Sequence, residues 1–281
     1  MNISFLDSLL LPFQFEFMTD AFILGMCISL LCSLFSCFLI LKGQSLIGDA
    51  LSHSVLPGII IAHALKIPLT IGAFASGIFS IYATKHIRDR SSLKDDTILG
   101  VVFTGLFALG LVLFAKIPTD LHLDHILFGN ILGIERTDFW EALIICFFCF
   151  LFFIFYFRSL TICHFDEVFA RTIGMNTSFF RYALLVLVAL LIITSIKALG
   201  ILLVIALLIT PGCTGHLLTK KMGHMLFVSA IVGVLACLLG IYISFFIDAS
   251  PSASIVLVQT SLLVILVGIG KLKKLISNSI G

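Results

Sequence analysis

Residues 43–65 read GQSLIGDALSHSVLPGIIIAHAL, and they place Asp49 and His53 one helical turn apart in an otherwise oily segment. Gly43, Gly48, Pro57 and Gly58 interrupt that segment on both sides of the pair. Proline has no backbone N–H and cannot continue a regular helix, so this segment is expected to be a broken or partial crossing. The surrounding chain decides what kind of helix this is. Of 281 residues, 60% are hydrophobic and 11% charged, against roughly 25% charged in a soluble domain. Mean hydropathy is +1.22. The composition is that of an all-α integral membrane protein. A net charge of +2, with dispersed Lys and Arg, gives no surface for nucleic acid.

Outward from this stretch, apolar runs cover about 21–41, 49–65, 67–84, 97–115, 139–157, 182–196, 198–218, 225–247 and 249–270. Lipid offers backbone groups no partner, and no alternating strand pattern appears, so each run is expected to be helical. That predicts a bundle of nine transmembrane helices. Eight follow if 49–65, broken by Pro57, or the short run 182–196 does not cross. Charge placement orients the bundle. With the C-terminus inside, the inner segments hold 13 cations: Lys42, Lys85, Arg88, Arg90, Lys94, Arg158, Arg171, Arg181, Lys220, Lys221, Lys271, Lys273 and Lys274. The outer segments hold 4, namely Lys66, Lys116, Arg136 and Lys197, as positive-inside requires.

The N-terminal twenty residues carry Asp7, Glu16 and Asp20 and no basic region, unlike a signal peptide. The eight cysteines fall almost entirely within apolar runs and read as small packing residues; Cys146 and Cys149 form a CxxC, but a redox role would need a thiolate in hydrocarbon.

Aspartate and histidine at i and i+4 share a helix face, about 5 to 6 Å apart at Cβ. Ionisable groups inside a membrane are costly and by default mark a path for ions or protons. A broken helix beside them exposes backbone carbonyls, and Ser45, Ser52 and Ser54 add oxygen donors. Carboxylate, imidazole and oxygen, without Cys or Met, suit manganese, iron or zinc rather than Cu(I). The residues alone leave open the plainer alternative of an inner-end aspartate bonded to backbone beside a histidine satisfied in the bundle. Both ligands bind metal deprotonated, so protons would compete and uptake should weaken in acid.

The stretch 43–65 resembles the signature of the membrane permeases of manganese/zinc/iron ATP-binding-cassette importers. Residues 197–219, KALGILLVIALLITPGCTGHLLT, resemble that family's downstream helix, and 125–134, HILFGNILGI, its Leu-Phe-Gly element. Asn130 stands where a serine is frequent, and Gly212, Cys213 and Gly215 where alanines are usual. The resemblance implies a type II ABC importer permease, one transmembrane permease domain over 1–281, in the cytoplasmic membrane of a bacterium. It implies a second copy of the chain, cytoplasmic ATP-binding subunits and an extracytoplasmic metal-binding protein as partners. It also makes Asp49 and His53 the metal-coordinating pair for a transported divalent metal, with no permanently bound cofactor.

One-way transport needs a power source, and the chain holds no GxxxxGK[ST] phosphate cradle. ATP hydrolysis is therefore expected on a separate subunit. The inner loop 158–181, RSLTICHFDEVFARTIGMNTSFFR, spaces Phe165, Phe169 and Ile173 every four residues, a short apolar stripe for docking. A helix resting on the membrane surface would show the same stripe. The resemblance of FDEVFARTIGMN to the family's coupling segment favours docking and implicates Phe165, Asp166, Glu167, Phe169, Ala170 and Gly174. Pro57 and Pro211 are candidate pore or hinge positions, because each frees a backbone carbonyl. Asp120, His122, Asp124 and His125 crowd an outer loop, where a solvated role is the plainer reading. A proton-coupled secondary metal transporter would use the same Asp and His but need no ATPase; copurification of an ATPase subunit separates the two. An intramembrane enzyme is disfavoured by the lack of HExxH and GxSxG.

Overall fold

The structure is a computed structural model that describes residues 11–117, 129 and 131–280. Among the described residues every regular element is helical: α1 (Glu16–Leu41), α2 (Leu46–Ser54), α3 (Leu56–Ala64), α4 (Leu69–Arg88), α5 (Asp95–Lys116), α6 (Arg136–Phe165), α7 (Glu167–Thr172), α8 (Thr177–Leu218), α9 (Met222–Ile247) and α10 (Pro251–Ile280), with two short 3-10 turns. Helix α1 begins five residues before its apolar run because Arg136, on α6, pairs with Glu16 and Asp20 and neutralises its outer end. The cluster Asp120, His122, Asp124 and His125 and position Asn130 lie outside the described residues.

Among the described residues, seven stretches are long and apolar enough to cross a membrane by length and composition alone, and Thr177–Leu218 is one of them. At 1.5 Å per residue a straight helix of 42 residues would run about 63 Å, twice a bilayer's hydrocarbon core. It is not straight: Gly200 has φ 76° and ψ 165°, outside the helical region. Contacts show that the chain folds back there. Leu185, before the kink, shares a pocket with Ile47 of α2. Leu208, after it, packs on Gly48, where an added Cβ would lie 3.0 Å from Leu208 Cδ1. Lys197, near the kink, pairs at the other end of the bundle with Asp138 and Glu141. The two arms of α8, with α4, bring the helical segments available to cross to nine among the described residues, as the apolar runs predict.

The fold-back occurs at Gly200, close to the boundary at Lys197 between the apolar runs 182–196 and 198–218, whereas Pro211, a candidate hinge, does not turn the chain. Pro211 lies buried inside the second arm with helical neighbours. Ser36 of α1 bridges the backbone on both sides of it, its hydroxyl accepting from Gly212 N at 3.0 Å and donating to Ile209 O at 3.4 Å. Small residues let these helices touch. A Cβ on Gly212 would overlap Ser36, and one on Gly233 of α9 would overlap Ser33. The core lies between α1, the α8 arms and α9, with Phe35, Phe38, Leu191 and Leu207 buried. Helices α5 and α6 turn Val101, Phe147, Phe148 and Phe155 outward, as hydrocarbon permits and water would not.

Candidate functional site

Pro57 sets the site. The helical hydrogen-bond ladder of 46–64 is interrupted at Val55, between α2 and α3 and directly after the pair; Val55 keeps helical dihedrals (φ −75°, ψ −24°), and regular bonding resumes with Ile59 N donating to Val55 O at 3.1 Å. Ser76 of α4 donates its hydroxyl to the Ser54 carbonyl at 2.6 Å. That contact is possible because α3 and α4 touch through glycines: a Cβ on Gly58 would overlap the Gly72 carbonyl oxygen, and one on Gly72 the Gly58 oxygen. Pro57 itself is buried, so it acts by breaking the helix rather than by lining an open surface.

Asp49 and His53 do come together. Asp49 Oδ1 lies 3.3 Å from His53 Nε2, with the side chains 32% and 25% exposed. A cation held by one oxygen and one nitrogen at about 2.1 Å each would separate them by about 3.0 Å at octahedral angles and about 3.4 Å at tetrahedral ones. The 3.3 Å spacing fits a chelated cation as well as a direct His–Asp contact, and it does not choose between metals. The other imidazole nitrogen, Nδ1, is buried without a hydrogen-bond partner. Two rings of α5 wall the imidazole, Phe107 edge-on at 5.0 Å and Phe103 stacked at 6.0 Å. A metal would thus meet His53 at Nε2. Sequence reasoning missed these phenylalanines; their i, i+4 spacing marks a face of α5 but not what it faces.

Among the described residues, no group of three or more His, Cys, Asp or Glu side chains could hold a metal. The pair could supply a metal with two ligands, and a full shell would need carbonyls, water or another chain.

At the inner end, the expected docking stripe is rearranged. Helix α6 continues through Phe165, and Asp166 (φ −137°, ψ 92°) breaks the run before the six-residue α7. The break forms because Asp166 caps α7, its carboxylate accepting from Phe169 N at 2.8 Å. Phe165, Phe169 and Ile173 are all exposed but do not share one helix. Ala170 is fully buried and faces the bundle. Gly174 (φ 78°) closes α7 with a left-handed turn, Gly174 N donating to Arg171 O and Met175 N to Ala170 O, both at 3.0 Å. Glu167 accepts from Arg171 and Arg181, each at 2.6 Å, which ties α7 to α8. Arg171's hydrogen bond holds the Glu167 carboxyl below the usual carboxylate range, outweighing partial burial, with Arg181 and Lys42 adding to it. Asp166, Glu167, Ala170 and Gly174 therefore build the segment, while Val168, Phe169 and Ile173 are what it presents.

A family model described as "ABC 3 transport family" matches residues 14–269. The chelated iron transport system membrane protein YfeD of Yersinia pestis is 46% identical over 254 residues, 90% of this chain and 86% of that protein. The manganese transport system membrane protein MntB of Synechocystis is 42% identical over 254 residues, covering 90% and 83%. Among solved structures, a chain of PsaBC from Streptococcus pneumoniae, in complex with Fab, superposes with a TM-score of 0.84 at 34% identity over 95% of each chain.

Proposed function

The chain belongs to the ABC 3 transport family, a multi-pass membrane protein of the bacterial cytoplasmic membrane, and on that premise we propose that it is the permease subunit of an ATP-driven importer of a divalent transition metal. The reading is carried by one observation, the 3.3 Å approach of Asp49 and His53 beside a broken helix. Both groups are costly to hold in a bundle, and a doubly charged guest offsets that cost. Named relatives divide between manganese and chelated iron, and the oxygen–nitrogen ligand set suits Mn²⁺, Fe²⁺ or Zn²⁺.

The metal would enter from an extracytoplasmic binding protein and rest at Asp49 Oδ1 and His53 Nε2. Remaining ligands would come from water, carbonyls freed near Pro57, or a second copy of the permease. It would leave inward when ATP-binding subunits, docked at the segment around α7, repack the helices. Chain 1–281 would act as one permease domain.

The test is accumulation of radiolabelled manganese and iron in cells lacking their own uptake systems. Asp49→Ala and His53→Ala should each lower uptake at least tenfold, with membrane levels matched by immunoblot. Wild-type uptake by both variants would remove the pair from the transport path.

A further inference from the structure

Helix α5 packs against both α2 and α3, across the interruption at Val55. On one side of it Phe103 and Phe107 stand against His53, their ring centroids 6.0 and 5.0 Å from that of the imidazole. On the other side Gly110 is seated on Leu56, where an added Cβ would lie 2.9 Å from Leu56 Cγ. Ile98 and Val102, a turn apart on the same helix, are buried. The two aromatic walls of the imidazole are thus mounted on a helix anchored at both ends of the site. Within them the ring nitrogens have opposite surroundings. Nε2 faces Asp49 Oδ1 at 3.3 Å, while Nδ1 is buried with no hydrogen-bond partner.

A histidine that binds a metal through one ring nitrogen almost always donates the N–H of the other to a carboxylate, a backbone carbonyl or water, and losing that partner typically costs ten- to a hundredfold in metal affinity. His53 departs from this pattern. With a cation on Nε2, the one proton of a neutral imidazole must sit on Nδ1. There it would meet Phe103 and Phe107, which offer at most a weak contact with a π face. Without the cation, the proton on Nε2 would face the Asp49 carboxylate instead. Both states leave Nδ1 unpaired, and only the metal-free one gives the ring proton an acceptor.

We infer that Phe103 and Phe107 are positioning residues: they keep His53 Nδ1 dry and without an acceptor, so that the Asp49–His53 pair holds its divalent cation loosely enough to release it. A transported ion must leave its site in every cycle, and a carboxylate or carbonyl at Nδ1 would deepen the well it has to leave. Two hydrocarbon rings fix the imidazole without doing so. This deepens the function proposed above and rests on Asp49 and His53 being the ligands.

Purified full-length protein in lipid nanodiscs is titrated with manganese chloride, free Mn²⁺ being read from its paramagnetic resonance signal. Phe107→Gln, whose side-chain oxygen can accept from Nδ1–H, should tighten binding roughly tenfold. Phe107→Leu, which supplies no acceptor, should bind close to wild type. In cells that also express the ATP-binding and metal-binding partners, Phe107→Gln should lower both the KM and the maximal rate of manganese uptake, since a more stable bound state slows release; lost packing alone would raise KM. Should Phe107→Gln fold poorly, the wild type decides by nuclear magnetic resonance. With Zn²⁺ bound, the Nδ1 proton of His53, identified by its absence from His53→Ala, should lack the downfield shift of a hydrogen-bonded N–H. A downfield-shifted proton, or Phe107→Gln binding no more tightly than Phe107→Leu, overturns the inference while leaving the ligands in place. Wild-type Mn²⁺ binding by Asp49→Ala and His53→Ala would remove the pair itself, and this inference with it.

Discussion

Glu167 shows how a single side chain can hold an exposed segment in place. Its carboxylate joins Arg171 on its own helix to Arg181 on the next, and near the surface each such pair is worth about 0.2–1 kcal/mol. The Arg171 hydrogen bond sets its folded pKa below the ordinary value of 4.5. A depressed folded pKa means that the contribution is fully present above the ordinary value and is lost as pH falls through the folded one. Amide exchange across 167–176 should therefore stay slow from neutral pH down to the ordinary carboxylate value, once corrected for intrinsic rates, and quicken only in stronger acid. Glu167→Gln should exchange faster by a few fold at neutral pH, with the two proteins converging in stronger acid, and equal exchange at neutral pH would show that other contacts hold the segment. At this scale the approach of Asp49 and His53 was legible, because four residues of helix bring the two side chains together whatever the rest of the chain does. Phe103 and Phe107 were not, since they reach His53 from fifty positions away and only packing delivers them.

Helices were legible from apolar runs, and so was the turn between 182–196 and 198–218, but not the residue that makes it. Pro211 looks like a break and is accommodated, with Ser36, on a distant helix, bonding the backbone on both sides of it. Gly200 carries no punctuation in the sequence yet holds φ 76° and ψ 165°, a region that side-chained residues enter at a cost of about 1–3 kcal/mol. Gly200→Ala should lower the melting temperature of the purified protein by several degrees, whereas Gly105→Ala, with nothing within 4 Å of an added Cβ, should leave it unchanged or raise it. The α3–α4 crossing is as sensitive for a different reason. Gly72→Ala would drive a methyl into the Gly58 carbonyl and Ala62, and overpacking of this kind costs about 1–3 kcal/mol. Because α3 follows the break at Val55, that variant should also disturb metal binding. A Gly72→Ala protein that binds and melts like the wild type would mean that the two helices separate freely.

Assembly is the level at which the chain is least complete by itself. Under the proposed function its Asp49–His53 pair would offer a metal two ligands, its sequence shows no GxxxxGK[ST] motif, and its inner segment presents apolar side chains on a stiff mount. The expected stripe of Phe165, Phe169 and Ile173 proved to be spread over two helices and a cap, because four-residue spacing cannot reveal that Asp166 will spend its carboxylate capping α7. What the fold does present is Val168, 75% exposed, beside Phe169 and Ile173. Burying a large apolar side chain contributes about 1.5–3 kcal/mol, so removing two from a docking surface should weaken it by at least a hundredfold. Val168→Ala with Phe169→Ala should therefore abolish copurification of an ATP-binding subunit. Both side chains project from the chain, so the melting temperature of the permease alone should stay within a degree or two of the wild type. Were the segment lying on the membrane surface instead, the double variant would copurify as well as the wild type and lose affinity for lipid vesicles. That outcome would move the ATPase contact to another inner segment while leaving the Asp49–His53 site untouched.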